Sequence, residues 1–117
     1  MRSFTLVELV VVVLIVGILV AFALPAYRVT QERVLEGEAK ANLMLIQSAQ
    51  RIYRMEYGAF INCPSRVDLN TNLKLTIPTD TVWSYSSEAT GCGQATRGVI
   101  QWRLRQAEDT PVSSVCP

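Results

Sequence analysis

The feature that most constrains this chain is an apolar run near its start. Sixteen residues, from Leu9 to Leu24, carry no charged or strongly polar side chain. With its flanks the segment runs from Phe4 to Leu24, and its 21 residues would span about 31 Å as an α-helix, which matches the roughly 30 Å hydrocarbon core of a bilayer. A lone strand would leave its backbone groups unpaired in lipid. The segment is therefore predicted to be a membrane-spanning helix, despite its many β-branched residues.

One acidic residue, Glu8, interrupts this apolar segment. A carboxylate inside a spanning helix costs at least about 2.5–3.5 kcal/mol by insertion scales, and such residues usually have a partner. Two interpretations are open. Either Glu8 lies at the membrane boundary, where it costs little, or its partner is a cation on another copy of the chain.

Composition excludes several classes of catalytic site. The 117 residues include no His, so His-dependent triads and His-ligated zinc sites are absent. The sequence contains no phosphate loop and no nucleotide fingerprint, and its acidic residues are scattered. A formal net charge of +1 gives no general field that would attract nucleic acid. We therefore expect a protein that is not an enzyme and that needs no cofactor or metal.

A second helical pattern follows the apolar segment without a flexible joint. Residues 26–57 contain no Pro, and apolar or small residues recur with helical spacing at Leu35, Ala39, Leu43, Ile46, Ala49 or Gln50, and Tyr53. A further stripe runs through Val34, Ala41, Leu45, Ser48, Ile52 and Met55, which predicts a wide buried arc toward the end of the helix.

Gly58 is the predicted stop of this helix, because a helix can end through a left-handed residue. Pro25 removes the hydrogen bond to Ala21 and is expected to kink or loosen the helix, and with Gly17 it marks a deformable stretch.

The last part of the chain is predicted to form a small antiparallel sheet. Residues 59–80 are rich in turn formers and predict a winding connection. Alternating side chains predict strands at 81–86 and 97–105, joined by a loop at 89–96, with a third short strand near 112–115. Trp83, Tyr85, Trp102 and Leu104 would then cover the helix face at Ile46, Ala49 and Tyr53.

The N-terminal residues carry a specific family resemblance. The runs Phe4–Leu9 (FTLVEL), Gly17–Leu19 (GIL) and Ala23–Tyr27 (ALPAY) closely resemble the start of type IV pilins and type II secretion pseudopilins, the class III prepilin-type N-terminus. The resemblance implies an α+β, ladle-like fold. Its long N-terminal α-helix, transmembrane in its first half, packs against a small antiparallel β-sheet.

The resemblance also implies how the N-terminus is processed and used. A prepilin peptidase would remove a leader of residues 1–3 by cutting between Ser3 and Phe4 and would methylate the new Phe4 amine; the family normally has Gly where this chain has Ser3. In the family's filaments, the stretch marked by Gly17 and Pro25 unwinds locally. Glu8 would pair with the Phe4 amine of a neighbouring subunit. The physics agrees, since opposite charges in a low-dielectric bundle attract strongly.

The resemblance divides the chain into four parts and suggests its partners. These parts are the leader 1–3, a transmembrane and assembly helix 4–24, its amphipathic continuation 25–57, and a globular head 58–117. The expected partners are other copies of the chain, the prepilin peptidase/methyltransferase, membrane lipid before assembly, and the pilus assembly machinery. The chain is expected in the inner membrane first and then in an extracellular filament on the cell surface.

Three cysteines, widely spaced, favour a disulfide over a metal or redox site. Cys92 and Cys116 would bracket the last strand, and a C-terminal disulfide loop resembles many type IV pilins. A Cys63–Cys92 bridge is the alternative.

Other functions are left open by the residues. The chain could be a type II secretion pseudopilin, or a soluble secreted domain released by signal cleavage after Ala21-Phe22-Ala23. Arg97, Arg103 and Arg105 would suit nucleic acid but are more often a solvated strand face, so we do not expect a nucleic-acid partner.

Overall fold

A computed structural model describes residues 3–117 of the chain. Five elements follow in order: α1 (Leu6–Tyr57), α2 (Arg66–Asn72), β1 (Ser84–Ser87), β2 (Gly93–Arg97) and β3 (Ile100–Leu104). The chain divides into two compact units, one that ends at Leu35 and one that runs Glu36–Pro117. One long helix followed by a small antiparallel sheet confirms the predicted α+β class.

Helix α1 begins two residues later than the predicted Phe4 and ends where predicted. Its last residue, Tyr57, is followed by Gly58 at φ 85°, and the Gly58 N–H donates to the Arg54 carbonyl over 2.7 Å. A residue with a side chain would be strained in this left-handed conformation, which explains why glycine ends the helix. Gly17 and Pro25 both lie inside the continuous helix.

Within the second unit, α1 buries one face and exposes the other. Its buried residues are Ala39, Leu43, Ile46, Gln47 and Gln50, which confirms the first predicted face. The prediction of a wide buried arc is wrong: Leu45, Ile52 and Met55 are 54%, 58% and 85% exposed. The head covers only one side of the helix, so the second apolar stripe has no cover within the chain.

A short helix, α2, lies inside the segment predicted as a winding connection. Ser65 is its N-cap, and the Ser65 hydroxyl oxygen accepts the Asp68 N–H. Leu69 points into the core and is fully buried. The prediction for 59–80 is wrong at this helix.

The sheet has the order β1-β2-β3 and is antiparallel throughout. Its central strand, β2, overlaps the segment predicted as a loop at 89–96, so that prediction is wrong. The strand carries small residues because it presses on α1: a Cβ built on Gly93 would lie 3.2 Å from Ile46 Cγ2, and Ala95 is fully buried. The predicted third strand near 112–115 is reduced to one isolated bridge between Val112 and Arg103.

The core lies between α1 and the sheet, with α2 contributing to it. Its buried members are Ala39, Leu43, Ile46, Cys63, Leu69, Leu73, Ile77, Trp83, Tyr85, Ala95 and Leu104, and Ala49, Tyr53 and Trp102 pack against them. Trp83, Tyr85, Trp102 and Leu104 thus share one core with the helix face, and Tyr85 and Trp102 contact α1 at Asn42 and Lys40. Their predicted cover of Ile46, Ala49 and Tyr53 remains a prediction.

Candidate assembly surface

The apolar segment, residues 4–24, is exposed along its whole length. Every large apolar side chain between Phe4 and Leu24 is between 46% and 86% exposed. Soluble monomers rarely expose contiguous apolar patches larger than a few hundred Å². Among the described residues, α1 is the one helix long and apolar enough to cross a membrane. An apolar surface of this kind is compatible with a membrane anchor.

The start of α1 is closed by a reciprocal pair of hydrogen bonds. The Thr5 N–H donates to Glu8 Oε2 over 3.0 Å, and the Glu8 N–H donates to Thr5 Oγ1 over 3.2 Å. The first bond of the helix runs from the Leu9 N–H to the Thr5 carbonyl. Thr5 is thus the N-cap and Glu8 the third helical residue, which is a capping box. Analysis of the sequence missed this role of Glu8, although the spacing Thr-x-x-Glu signals it.

The predicted processing site lies just before the helix. Ser3 and Phe4 are both exposed and precede the first helical residue, Leu6. Met1 and Arg2, the other residues of the predicted leader, lie outside the described residues. Cleavage between Ser3 and Phe4, methylation of Phe4 and pairing of its amine with Glu8 remain predictions.

Two residues predicted to mark a deformable stretch lie in the apolar helix and just after it. A Cβ built on Gly17 would meet nothing within 4 Å, so packing within the chain does not require glycine there. Pro25 lacks an N–H, so the Ala21 carbonyl cannot receive its usual helical bond. The Thr30 hydroxyl donates back to the Ala26 carbonyl over 2.9 Å, a contact that often accompanies slight bending. The deformability of this stretch remains a prediction.

A disulfide closes the C-terminal segment. Cys92 and Cys116 are joined, with their Cα atoms 6.2 Å apart, as the resemblance implied. Cys63 is free and buried, so the alternative Cys63–Cys92 bridge is not formed. Burial raises the pKa of the Cys63 thiol, with a hydrogen bond from Asn72 acting against the shift.

Two buried amides of α1, Gln47 and Gln50, bond to other parts of the head. Gln47 Nε2 donates to the carbonyls of Arg105 and Glu108, at 2.7 and 2.8 Å. Gln50 Nε2 donates to the Ile61 carbonyl and to Ser87 Oγ, both at 2.7 Å. These contacts explain why two polar residues occupy the buried face of the helix, since buried polar side chains are tolerated when they are hydrogen-bonded.

Two arginines of the head and one lysine of α1 contact side chains of their own chain. Arg103 lies 3.3 Å from Glu108, and the Arg97 guanidinium lies 5.2 Å from the centre of the Trp83 ring. Lys40 lies over Trp102 at 4.5 Å. Within residues 3–117, no group of three or more thiol or carboxyl side chains is placed to hold a metal ion.

Comparison with known proteins yields a pilin relative. The chain is 44% identical over 64 residues to the type IV major pilin protein PilA of Myxococcus xanthus (strain DK1622), a match that covers 52% of this chain and 29% of that protein. The chain thus matches less than a third of the length of this relative. No family model and no solved structure matches the chain. The pilin relative and the long apolar helix confirm the resemblance found in the sequence.

Proposed function

We propose that this chain is a structural subunit of a type IV pilus filament, polymerised through its apolar segment. The observation that carries the proposal is the uncovered apolar surface of residues 4–24. The similarity to a type IV major pilin supports it. A polymer of such helices would cover this surface without lipid.

The subunit would occupy two environments in turn. Before assembly, the apolar segment lies in the inner membrane and the head lies outside it. A prepilin peptidase removes residues 1–3 and methylates Phe4, and the assembly machinery then moves the subunit into an extracellular filament on the cell surface.

Inside the filament the apolar helices exchange lipid for one another. Lipid tails are about as apolar as leucine, so this exchange offers little hydrophobic gain, and close packing and polar contacts decide the geometry. Glu8 supplies one such contact by pairing with the Phe4 amine of a neighbour. Because either charge alone is costly in apolar surroundings, the pair favours the one axial stagger that neutralises both.

The exposed stripe of α1 would extend this contact surface beyond the membrane. Leu45, Ile52 and Met55 lie on the side of the helix opposite its buried face and have no cover within the chain. Neighbouring subunits would cover them in the filament. The stretch marked by Gly17 and Pro25 would let the helix unwind and adjust as subunits pack.

Replacing Glu8 tests the assembly mechanism. Glu8→Val should still insert in the membrane but form few or no filaments, because the Phe4 amine loses its partner and the Thr5 N–H loses its acceptor. Asp109→Ala, which removes an exposed carboxylate from the head, serves as the control and should assemble normally. Filament yield by electron microscopy and the membrane fraction by immunoblot are the two measurements. Normal filaments from Glu8→Val would refute the amine pairing.

Mass spectrometry of the mature protein separates the proposal from secretion as a soluble domain. We expect an N-terminus at methylated Phe4. A mature chain that begins at Leu24 would contradict the proposed function as a whole, because the apolar segment would then be discarded.

A further inference from the structure

We propose that Thr5 is a positioning residue for assembly, because its reciprocal hydrogen bonds with Glu8 fix the carboxylate at the start of the helix. This inference rests on the proposed function and adds to it a residue with a distinct role. The two bonds, Thr5 N–H to Glu8 Oε2 and Glu8 N–H to Thr5 Oγ1, measure 3.0 and 3.2 Å.

The first step of the argument concerns backbone donors in an apolar environment. The first N–H groups of a helix have no partner within it, and an apolar medium offers no water to replace one. The capping box satisfies two of these donors, on Thr5 and Glu8, with side chains of the same turn. The cap would therefore hold in lipid and in a helical bundle as well as in water.

The second step concerns the position of the carboxylate. Residue Thr5 follows Phe4 directly, so a Glu8 oxygen bonded to the Thr5 N–H lies beside the peptide group that joins Phe4 to Thr5. A carboxylate accepts several hydrogen bonds, so the contact at Oε2 leaves Oε1 able to accept from a second donor. The same carboxylate can thus cap its own helix and receive the amine of a neighbour.

The third step distinguishes the two functions of Glu8. Capping requires a hydrogen-bond acceptor at position 8, which Gln also provides, whereas pairing with an amine requires the negative charge. Capping also requires the hydroxyl at position 5, which Ser retains and the isosteric Val lacks. Glu8→Gln therefore removes the charge and keeps the cap, whereas Thr5→Val removes the hydroxyl of the cap and keeps the charge.

Three variants of the full chain, Thr5→Val, Thr5→Ser and Glu8→Gln, are compared with the parent in the native assembly system. Filament yield is measured at equal subunit levels, and mass spectrometry of each N-terminus restricts the comparison to subunits that are processed and methylated. We expect Thr5→Val to lower the filament yield about fivefold, because the loss of one N-cap typically changes an equilibrium constant by about that factor. Thr5→Ser should restore it, and Glu8→Gln should fail because the charge is gone.

Amide hydrogen exchange in detergent micelles supplies a second readout. The N–H groups of residues 5 and 8 should be protected in the parent and in Glu8→Gln, and that of residue 8 should lose protection in Thr5→Val. Full assembly by Thr5→Val, or failure of Thr5→Ser to restore assembly, would overturn the positioning role. Normal filaments from Glu8→Gln would instead overturn the charge pairing of the proposed function, so the two failures are distinguishable.

Discussion

Gly91 and Gly58 adopt nearly the same left-handed conformation in different surroundings. Their φ angles are 83° and 85°. A Cβ on Gly91 would lie 2.8 Å from Gln106 Cγ and 3.0 Å from the Phe60 ring, whereas one on Gly58 would meet nothing within 4 Å. Comparing substitutions at the two glycines therefore separates the cost of backbone strain from the cost of steric crowding.

Gly58→Ala should lower the free energy of unfolding by about 1 kcal/mol, through backbone strain alone. Gly91→Ala should lower it by about 2–3 kcal/mol, because a clash with packed side chains adds to the same strain. Denaturant unfolding in detergent, followed by Trp83 and Trp102 fluorescence, measures both. Equal losses would show that the contacts around Gly91 adjust freely.

The buried thiol of Cys63 should make stability depend on pH in the alkaline range. Burial raises its pKa from 9.0, so the folded state holds the thiol proton more tightly than the unfolded state. The resulting stabilisation is complete below the unfolded pKa and falls as pH rises through the folded pKa. Unfolding curves from pH 7 to 10 should show a loss of stability above about pH 9 that is smaller in Cys63→Ala.

Tyr85 should add to this loss at higher pH. Burial also raises the pKa of its hydroxyl from 10.0, against a hydrogen bond with Asn42. Tyr85→Phe is the variant that isolates its share. If neither Cys63→Ala nor Tyr85→Phe changes the loss of stability at alkaline pH, the assigned pKa directions are wrong.

Among the elements, the C-terminal segment depends most on its covalent link. This segment, residues 105–117, has one backbone bridge, from Val112 to Arg103. Side-chain contacts also hold it: the Gln47 amide bonds to the Arg105 and Glu108 carbonyls, and Arg51 bonds to Gln106. Cys116→Ser should lower the free energy of unfolding by about 3–4 kcal/mol in the chain-entropy account, given a sequence separation of 24. Denaturant unfolding measures the loss, with reduction of the parent protein as the control that should reproduce it. A loss below about 1 kcal/mol would mean that the noncovalent contacts suffice.

Some elements follow from local sequence and others from tertiary packing. Helical periodicity located the buried face of α1, and Gly58 marked its end. Strand β2 could not be predicted because Gly93 and Ala95 are small for a tertiary reason: Gly93 lies against Ile46 of α1, and Ala95 is fully buried in the core. Helix α2 is too short to show periodicity, and only the Ser65 cap with Asp68 signals it. Periodicity also could not show whether the stripe at Leu45 and Ile52 is covered by its own chain or by another.

At the scale of the whole molecule, two apolar surfaces are exposed, and the proposed function assigns both to contacts outside the chain. One is the apolar segment, residues 4–24, and the other is the stripe of α1 that contains Ile52. If neighbouring subunits cover the stripe, a charge placed there should impair assembly and leave the fold intact.

Ile52→Lys tests this expectation. The side chain is 58% exposed, so the free energy of unfolding should change by less than about 0.5 kcal/mol, while filament yield should fall strongly. Val67→Lys is the matched control, since Val67 is 60% exposed but lies on α2 and does not belong to the stripe of α1. Equal filament yields from the two variants would show that subunits do not meet along the stripe.

Electron cryomicroscopy of filaments formed by the full chain, at a resolution that shows side chains, tests the central claim most directly. We predict that residues 4–24 lie in the filament interior, packed against the same segment of neighbouring subunits. The Glu8 carboxylate should lie within about 4 Å of a neighbour's Phe4 amine. A filament built from heads alone, or one that lacks residues 4–24, would contradict the account.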